Sequence, residues 1–127
     1  MKENILIVED DSLIGTGLKL CLEEFGFHVL PVISAGPEAI QSARENKPDL
    51  ILMDMTLRGS MNGHEIMTVI RRESSVPVIY LTGGDQYEMD DKVKDTKPCD
   101  FLIKPFEDEE LVRRINKLID ECCDLQH

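Results

Sequence analysis

Three short runs, Ile5–Val8, Leu50–Met53 and Val76–Leu81, are apolar without the polar–apolar alternation of a half-exposed strand. Such runs suit strands covered on both faces, as in the middle of a parallel sheet. Leu50-Ile51-Leu52-Met53 is closed by Asp54. A carboxylate at the carboxyl end of a buried parallel strand projects into the crevice where open α/β sheets bind their ligands. Asp is seldom buried without a partner or a metal. Taken alone, Asp54 is no more than a strand-ending residue that starts a turn.

The segments between these runs carry helical periodicity. Ile5–Val8 ends in Glu9-Asp10-Asp11-Ser12, which contains helix-capping residue types. Ile14, Leu18, Cys21, Leu22 and Phe25 then recur at helical spacing, predicting a helix over residues 12–25 that stops near Gly26. Phe27–Val32 reads as a second strand, and Pro31 places it at a sheet edge because it lacks a ladder donor. Pro37 marks the first turn of a second helix with Ala39, Ile40 and Ala43 on its apolar face. Lys47-Pro48-Asp49 turns into the strand that ends at Asp54, and a loop follows over Met55–Asn62. Gly63, Ile66, Met67 and Ile70 mark a third helix ending around Glu73. Val76–Leu81 is the fourth strand, closing in Thr82-Gly83-Gly84. Only Met89 and Val93 form a stripe over residues 85–95, which predicts a weakly anchored fourth helix. Phe101–Ile103 is a short fifth strand running into Lys104-Pro105. In the last helix Leu111, Val112, Ile115, Leu118, Ile119 and Cys122 share one face, with four acids at Glu107–Glu110 at its positive end. Phe106 is placed to staple onto Leu111.

Five strands alternating with five helices predict an α/β fold: a (βα)5 doubly wound parallel five-stranded sheet with right-handed crossovers. Strands two and five fall at the edges, giving the flavodoxin-like order 2-1-3-4-5 with its crevice between the first and third strands. A chain of 127 residues is expected to form one domain over 1–127 without an output domain, either as a stand-alone unit or as a unit excised from a larger chain. Twenty-five acidic against 14 basic residues give a net charge of −11, which disfavours direct binding to nucleic acid or an anionic membrane. No run approaches a transmembrane helix and the N-terminus lacks a signal-peptide core, so no membrane insertion is expected. Cys21, Cys99, Cys122 and Cys123 show no metal-ligand spacing, and free thiols point to a reducing, cytoplasmic location. His28, His64 and His127 are too scattered for a zinc cluster.

In the predicted strand order the ends of strands one, three, four and five open onto one edge. They deliver Glu9, Asp10 and Asp11, then Asp54, then Thr82, then Lys104. Converging carboxylates repel one another and raise their pKa values unless a cation intervenes. Mg²⁺ suits an open site of few carboxylates, because it keeps several waters and completes its octahedron with phosphate oxygens. Thr82 offers a hydroxyl and Lys104 a point positive charge, both suited to phosphoryl oxygens. An Asp nucleophile, a metal, a hydroxyl and a Lys make a phosphoryl-accepting constellation. Each piece alone is ordinary, and Asp11 reads as a helix cap; joint placement after successive strands of one sheet carries the reading.

The ordered set Ile5-Leu6-Ile7-Val8-Glu9-Asp10-Asp11, Leu50-Ile51-Leu52-Met53-Asp54, Val78-Ile79-Tyr80-Leu81-Thr82-Gly83 and Asp100-Phe101-Leu102-Ile103-Lys104-Pro105-Phe106 resembles the CheY-like response-regulator receiver domains of two-component signalling. The resemblance spans essentially the whole chain. It implies that Asp54 receives a phosphoryl group from a phosphohistidine on a sensor histidine kinase or histidine phosphotransfer protein. It further implies that Asp10 binds Mg²⁺ directly, Glu9 mainly through water, and the Thr56 backbone carbonyl as the remaining protein ligand beside Asp54. Lys104 would pair with the phosphoryl group, and its peptide bond to Pro105 would be cis. Thr82 and Phe101 would be the switch residues, biasing the face of helix four, strand five and helix five toward a downstream effector. Such a chain is a signalling phosphoacceptor that catalyses only its own phosphorylation and dephosphorylation.

Family members often carry Pro four residues after the acceptor and Gly eight after it. Arg58 and Asn62 stand there, with Gly63 one residue later. Lys97-Pro98-Cys99 replaces the usual Gly-Ala before the fifth strand, which would stiffen that connection. Gly84, two past Thr82, has no side chain to place a water, so dephosphorylation would be unassisted. A haloacid-dehalogenase-type phosphohydrolase is the enzymatic alternative, but Thr56 stands where it needs a second Asp. A flavodoxin-like cofactor binder would want a Ser/Thr/Gly-rich first loop, which Glu9-Asp10-Asp11 is not. A pseudo-receiver used only for protein contacts is disfavoured by the complete acid, Thr and Lys set.

Overall fold

The computed structural model describes residues 3–83 and 93–125. Among them five strands form one parallel sheet: β1 (Asn4–Val8), β2 (His28–Val29), β3 (Leu50–Asp54), β4 (Val78–Thr82) and β5 (Cys99–Ile103). Their order is β2-β1-β3-β4-β5, as the pattern of apolar runs predicts. The helices are α1 (Ser12–Glu24), α2 (Gly36–Asn46), α3 (Gly63–Arg71) and α4 (Asp108–Leu125). The last is helix five of the sequence reading. Most of the helix predicted over 85–95, Met89 included, lies outside the described residues, as does Gly84. The chain is described again at Val93, where a 3₁₀ turn spans Lys94–Thr96.

Both faces of the sheet are covered, which is why β1, β3 and β4 tolerate no polar alternation. Leu6, Val8, Ile51, Met53, Val78 and Tyr80 face α2 and α3, together with Ile66, Met67 and Val93. Ile5, Ile7, Leu50, Leu52, Ile79 and Leu81 point the other way, toward Leu22 of α1 and Leu111, Ile115 and Leu118 of α4. Phe106 and Leu111 share this second cluster, as the staple requires.

Two expectations are corrected. The second strand is shorter than Phe27–Val32. His28 lies opposite Asn4 and Val29 opposite Ile5, but Ile33 lies opposite Val8, one residue out of that register. The chain still tracks β1, with Leu30 N–H donating to Ile5 O and Ile33 N–H to Ile7 O. The additional residue is absorbed around Pro31, which has no N–H to give. Ile14 of α1 and Phe25, which caps it, are 44% and 47% exposed, whereas Leu22 is fully buried. The helix approaches the sheet through Gly15, where a Cβ would stand 2.9 Å from Val32 Cγ1. A periodicity of large apolar residues does not register that contact.

A buried polar network holds the connection into β5. Arg71, at the end of α3, donates to Thr96 O at 3.1 and 2.7 Å and to Ser74 O at 2.9 Å. Tyr80 Oη and Thr96 Oγ1 lie 2.6 Å apart, and Thr96 Oγ1 donates to Val93 O. His64 Nε2 and Asp95 Oδ1 lie 2.8 Å apart on the outside of the same turn. The Lys97–Pro98 bond is cis, as is Lys104–Pro105.

Candidate functional site

The carboxyl ends of β1, β3, β4 and β5 share one edge of the sheet. Glu9 leaves β1 with its N–H donated to Ile33 O at 2.9 Å, and its side chain is 3% exposed. Asp10 follows, half-buried. Asp11 caps α1 instead, its Oδ1 accepting from Leu13 N at 2.9 Å and Ile14 N at 3.2 Å. Asp54 ends β3 and is 2% exposed. One oxygen from each of Glu9, Asp10 and Asp54 lies within 4.8 Å of the others, the one such acidic group among the described residues.

Asp54 Oδ1 accepts from both the amide and the hydroxyl of Thr56, at 3.0 and 2.9 Å, and Lys104 Nζ lies 3.5 Å from it. Lys104 reaches this position from the end of β5, where its N–H donates to Thr82 O at 2.7 Å. Thr82 ends β4 one residue beyond Leu81, the register partner of Asp54, and is 4% exposed. Phe101, in the middle of β5, is half-buried against the α2–α3 side of the core. The residues singled out in the sequence therefore meet at one edge, apart from Phe101, which sits behind it.

The electrostatics follow from crowding. Burial comes first, then hydrogen bonding with the Asp54 carboxyl and the charge of Asp54, and together they push Glu9 up to about 8. Burial acts on Asp54 in the same sense. Hydrogen bonding with Glu9, the two Thr56 donors and the Lys104 charge outweigh it, so Asp54 lies below its ordinary value. Glu9 Oε2 is buried with no hydrogen-bond partner among the described residues. A buried, unpartnered carboxylate oxygen beside two further carboxylates fits a hard divalent cation.

The loop after β3 contributes two contacts that the residue types do not announce. One is the Thr56 pair on Asp54; an Asp side chain bonding the amide two residues on is a local turn habit that could have signalled it. The other is Arg58 N–H, which donates to Asp10 Oδ2 at 2.8 Å. The loop then ends in a capping box between Asn62 and Glu65. Gly63 opens α3 so close to β3 that a Cβ would stand 2.7 Å from Asp54 O and 2.8 Å from Met53 Cγ. Only glycine allows that approach.

Residues 5–116 match the family model of the response regulator receiver domain. The chain belongs to this family. The receiver is 37% identical over 115 residues to the DNA-binding response regulator MtrA of Mycobacterium tuberculosis, covering 91% of this chain and 50% of MtrA. It thus spans about half the length of the curated relatives it matches. Among solved structures, the signal receiver domain of a modulated diguanylate cyclase from Desulfovibrio desulfuricans G20 aligns over 100% of both chains, with 31% identity and a TM-score of 0.88. The receiver domain of sensor histidine kinase PA1611 from Pseudomonas aeruginosa PAO1 aligns over 94% of this chain and 99% of its own, with 29% identity and a TM-score of 0.83. That neighbour carries a magnesium ion coordinated in its active-site cleft. This receiver has the same fold and an acidic cluster of the kind in which receivers bind Mg²⁺. Among the described residues no helix is long and apolar enough to cross a membrane.

Proposed function

We propose that this receiver takes a phosphoryl group onto Asp54 from a phosphohistidine of a sensor histidine kinase or phosphotransfer protein. The observation that carries the reading is the surroundings of Asp54: two further carboxylates beside it and an amine 3.5 Å from its Oδ1. A carboxylate oxygen of Asp54 attacks phosphorus, a P–O bond forms as the P–N bond breaks, and the imidazole leaves with the electron pair. The Thr56 amide and hydroxyl aim the nucleophile by holding Oδ1. Lys104 offsets charge on the transferred group, as a positioned cation does in phosphoryl transfer. Glu9, Asp10, Asp54 and the Thr56 carbonyl would hold Mg²⁺, which when bound neutralises charge on the phosphoryl oxygens.

The product exchanges a carboxylate for a dianion with three acceptor oxygens. Thr82, at the end of β4, responds to it, and Phe101 in the neighbouring strand moves with it. The signal leaves through β5 and α4 to a protein effector. A few kcal/mol of differential contact is enough for such a two-state element. The receiver alone carries this chemistry. Incubation with acetyl phosphate and Mg²⁺, followed by intact mass, tests the reading. One phosphoryl group is expected on the native chain and none on Asp54→Asn; labelling that survives the substitution would contradict it.

A further inference from the structure

We propose that the backbone N–H of Arg58 is a positioning group for the cation site, fixing Asp10 as a ligand; this rests on the phosphoacceptor reading above. The three carboxylates of the cluster are held in different ways. Glu9 is fixed by burial and Asp54 by Thr56. Asp10 is only half-buried, and a carboxylate turns easily about its last torsion. What meets it is a chain segment 48 residues away: Arg58 N–H donates to Oδ2 at 2.8 Å. A hydrogen bond to an ionised carboxylate is shorter and stronger than one between neutral groups. It holds Asp10 in the orientation that brings one of its oxygens within 4.8 Å of Glu9 and Asp54. Hydrogen bonds that orient metal ligands set much of a site's affinity.

The residue type makes the contact available. Position 58 lies four residues after Asp54, and any residue there but Pro has an N–H to donate. The Arg58 side chain is exposed and plays no part in the contact. The same bond ties the 55–62 loop to the end of β1, so the arrival of a cation at Asp10 is felt in that loop.

The test compares two variants that both lack the guanidinium. Arg58→Ala keeps the N–H and Arg58→Pro removes it. In Mg²⁺ titrations followed by amide chemical shifts, Arg58→Pro is expected to bind about tenfold more weakly than Arg58→Ala, the low end for loss of a ligand-orienting hydrogen bond. Equal affinities for the two variants would overturn the inference while leaving the phosphoacceptor reading intact. Absence of Mg²⁺ binding by the native chain would overturn both. A second measurement needs neither metal nor a proline variant. In the native chain the Arg58 amide exchanges slowly with solvent, and in Asp10→Ala it exchanges at the rate of an open loop. Fast exchange in the native chain would likewise overturn the proposal.

Discussion

Glu9 and Asp54 sit where two carboxylates cannot both stay charged without a cation, and that crowding has a pH signature. Glu9 is raised from 4.5 to about 8, so the folded chain binds a proton that the unfolded chain gives up near 4.5. Stability from this source is fully present below about 4.5 and is lost as pH rises through about 8. Metal-free protein should therefore melt at progressively lower temperature across that window, and Mg²⁺ should restore more of the loss at its upper end than at its lower end. Glu9→Gln should flatten this component; melting curves with and without Mg²⁺ check it, and an unchanged slope in Glu9→Gln would count against the assignment. Lys104 acts on the transferred group rather than on the resting fold, being one-third exposed. Lys104→Ala should slow phosphoryl uptake from acetyl phosphate by about a hundredfold with the melting temperature little altered.

At the scale of elements, the strands that carry the site residues are the most legible part of the chain. β1, β3 and β4 are apolar runs because helices cover both their faces; β3 and β4 end in Asp54 and Thr82, and Glu9 follows β1, all at the same edge. β2 is less legible, because its apolar content says nothing of the register change around Pro31. The docking face of α1 is legible only in part, at Leu18 and Leu22, because Gly15, with no side chain, makes the close contact. In the site itself the side chains are legible, whereas the amides of Thr56 and Arg58 are not, since every residue but Pro carries one. Two substitutions test how these elements are locked. Gly63→Ala forces a Cβ against the Asp54 carbonyl and should cost about 1–3 kcal/mol in urea unfolding, as overpacking does. Thr96→Val strands the buried Tyr80 hydroxyl and should cost about 1–3 kcal/mol, while Tyr80→Phe in that background should recover part of the loss. Costs that simply add in the double variant would contradict the pairing.

For the whole molecule, a charge of −11 surrounds a site that gathers three carboxylates, Glu9, Asp10 and Asp54, around one amine, Lys104. That excess favours cations over anions, and phosphoryl donors therefore need the metal or a docked protein to approach. The flavodoxin-like order makes the convergence unavoidable: residues separated by almost the whole chain become neighbours once all strands run in one direction. Beryllofluoride, a phosphoryl mimic, should perturb the amides of Thr82, Phe101 and Ile103 more than those of Val29 at the far edge; perturbation confined to the 55–62 loop would contradict a signal through β5. The most direct measurement is chemical. An acyl phosphate on an aspartate is reduced by borohydride to homoserine, so the phosphorylated chain can be reduced, digested and read by peptide mass. Homoserine at position 54 and at no other aspartate is the predicted result. Phosphate retained on a hydroxyl or imidazole, with Asp54 unreduced, would contradict the account.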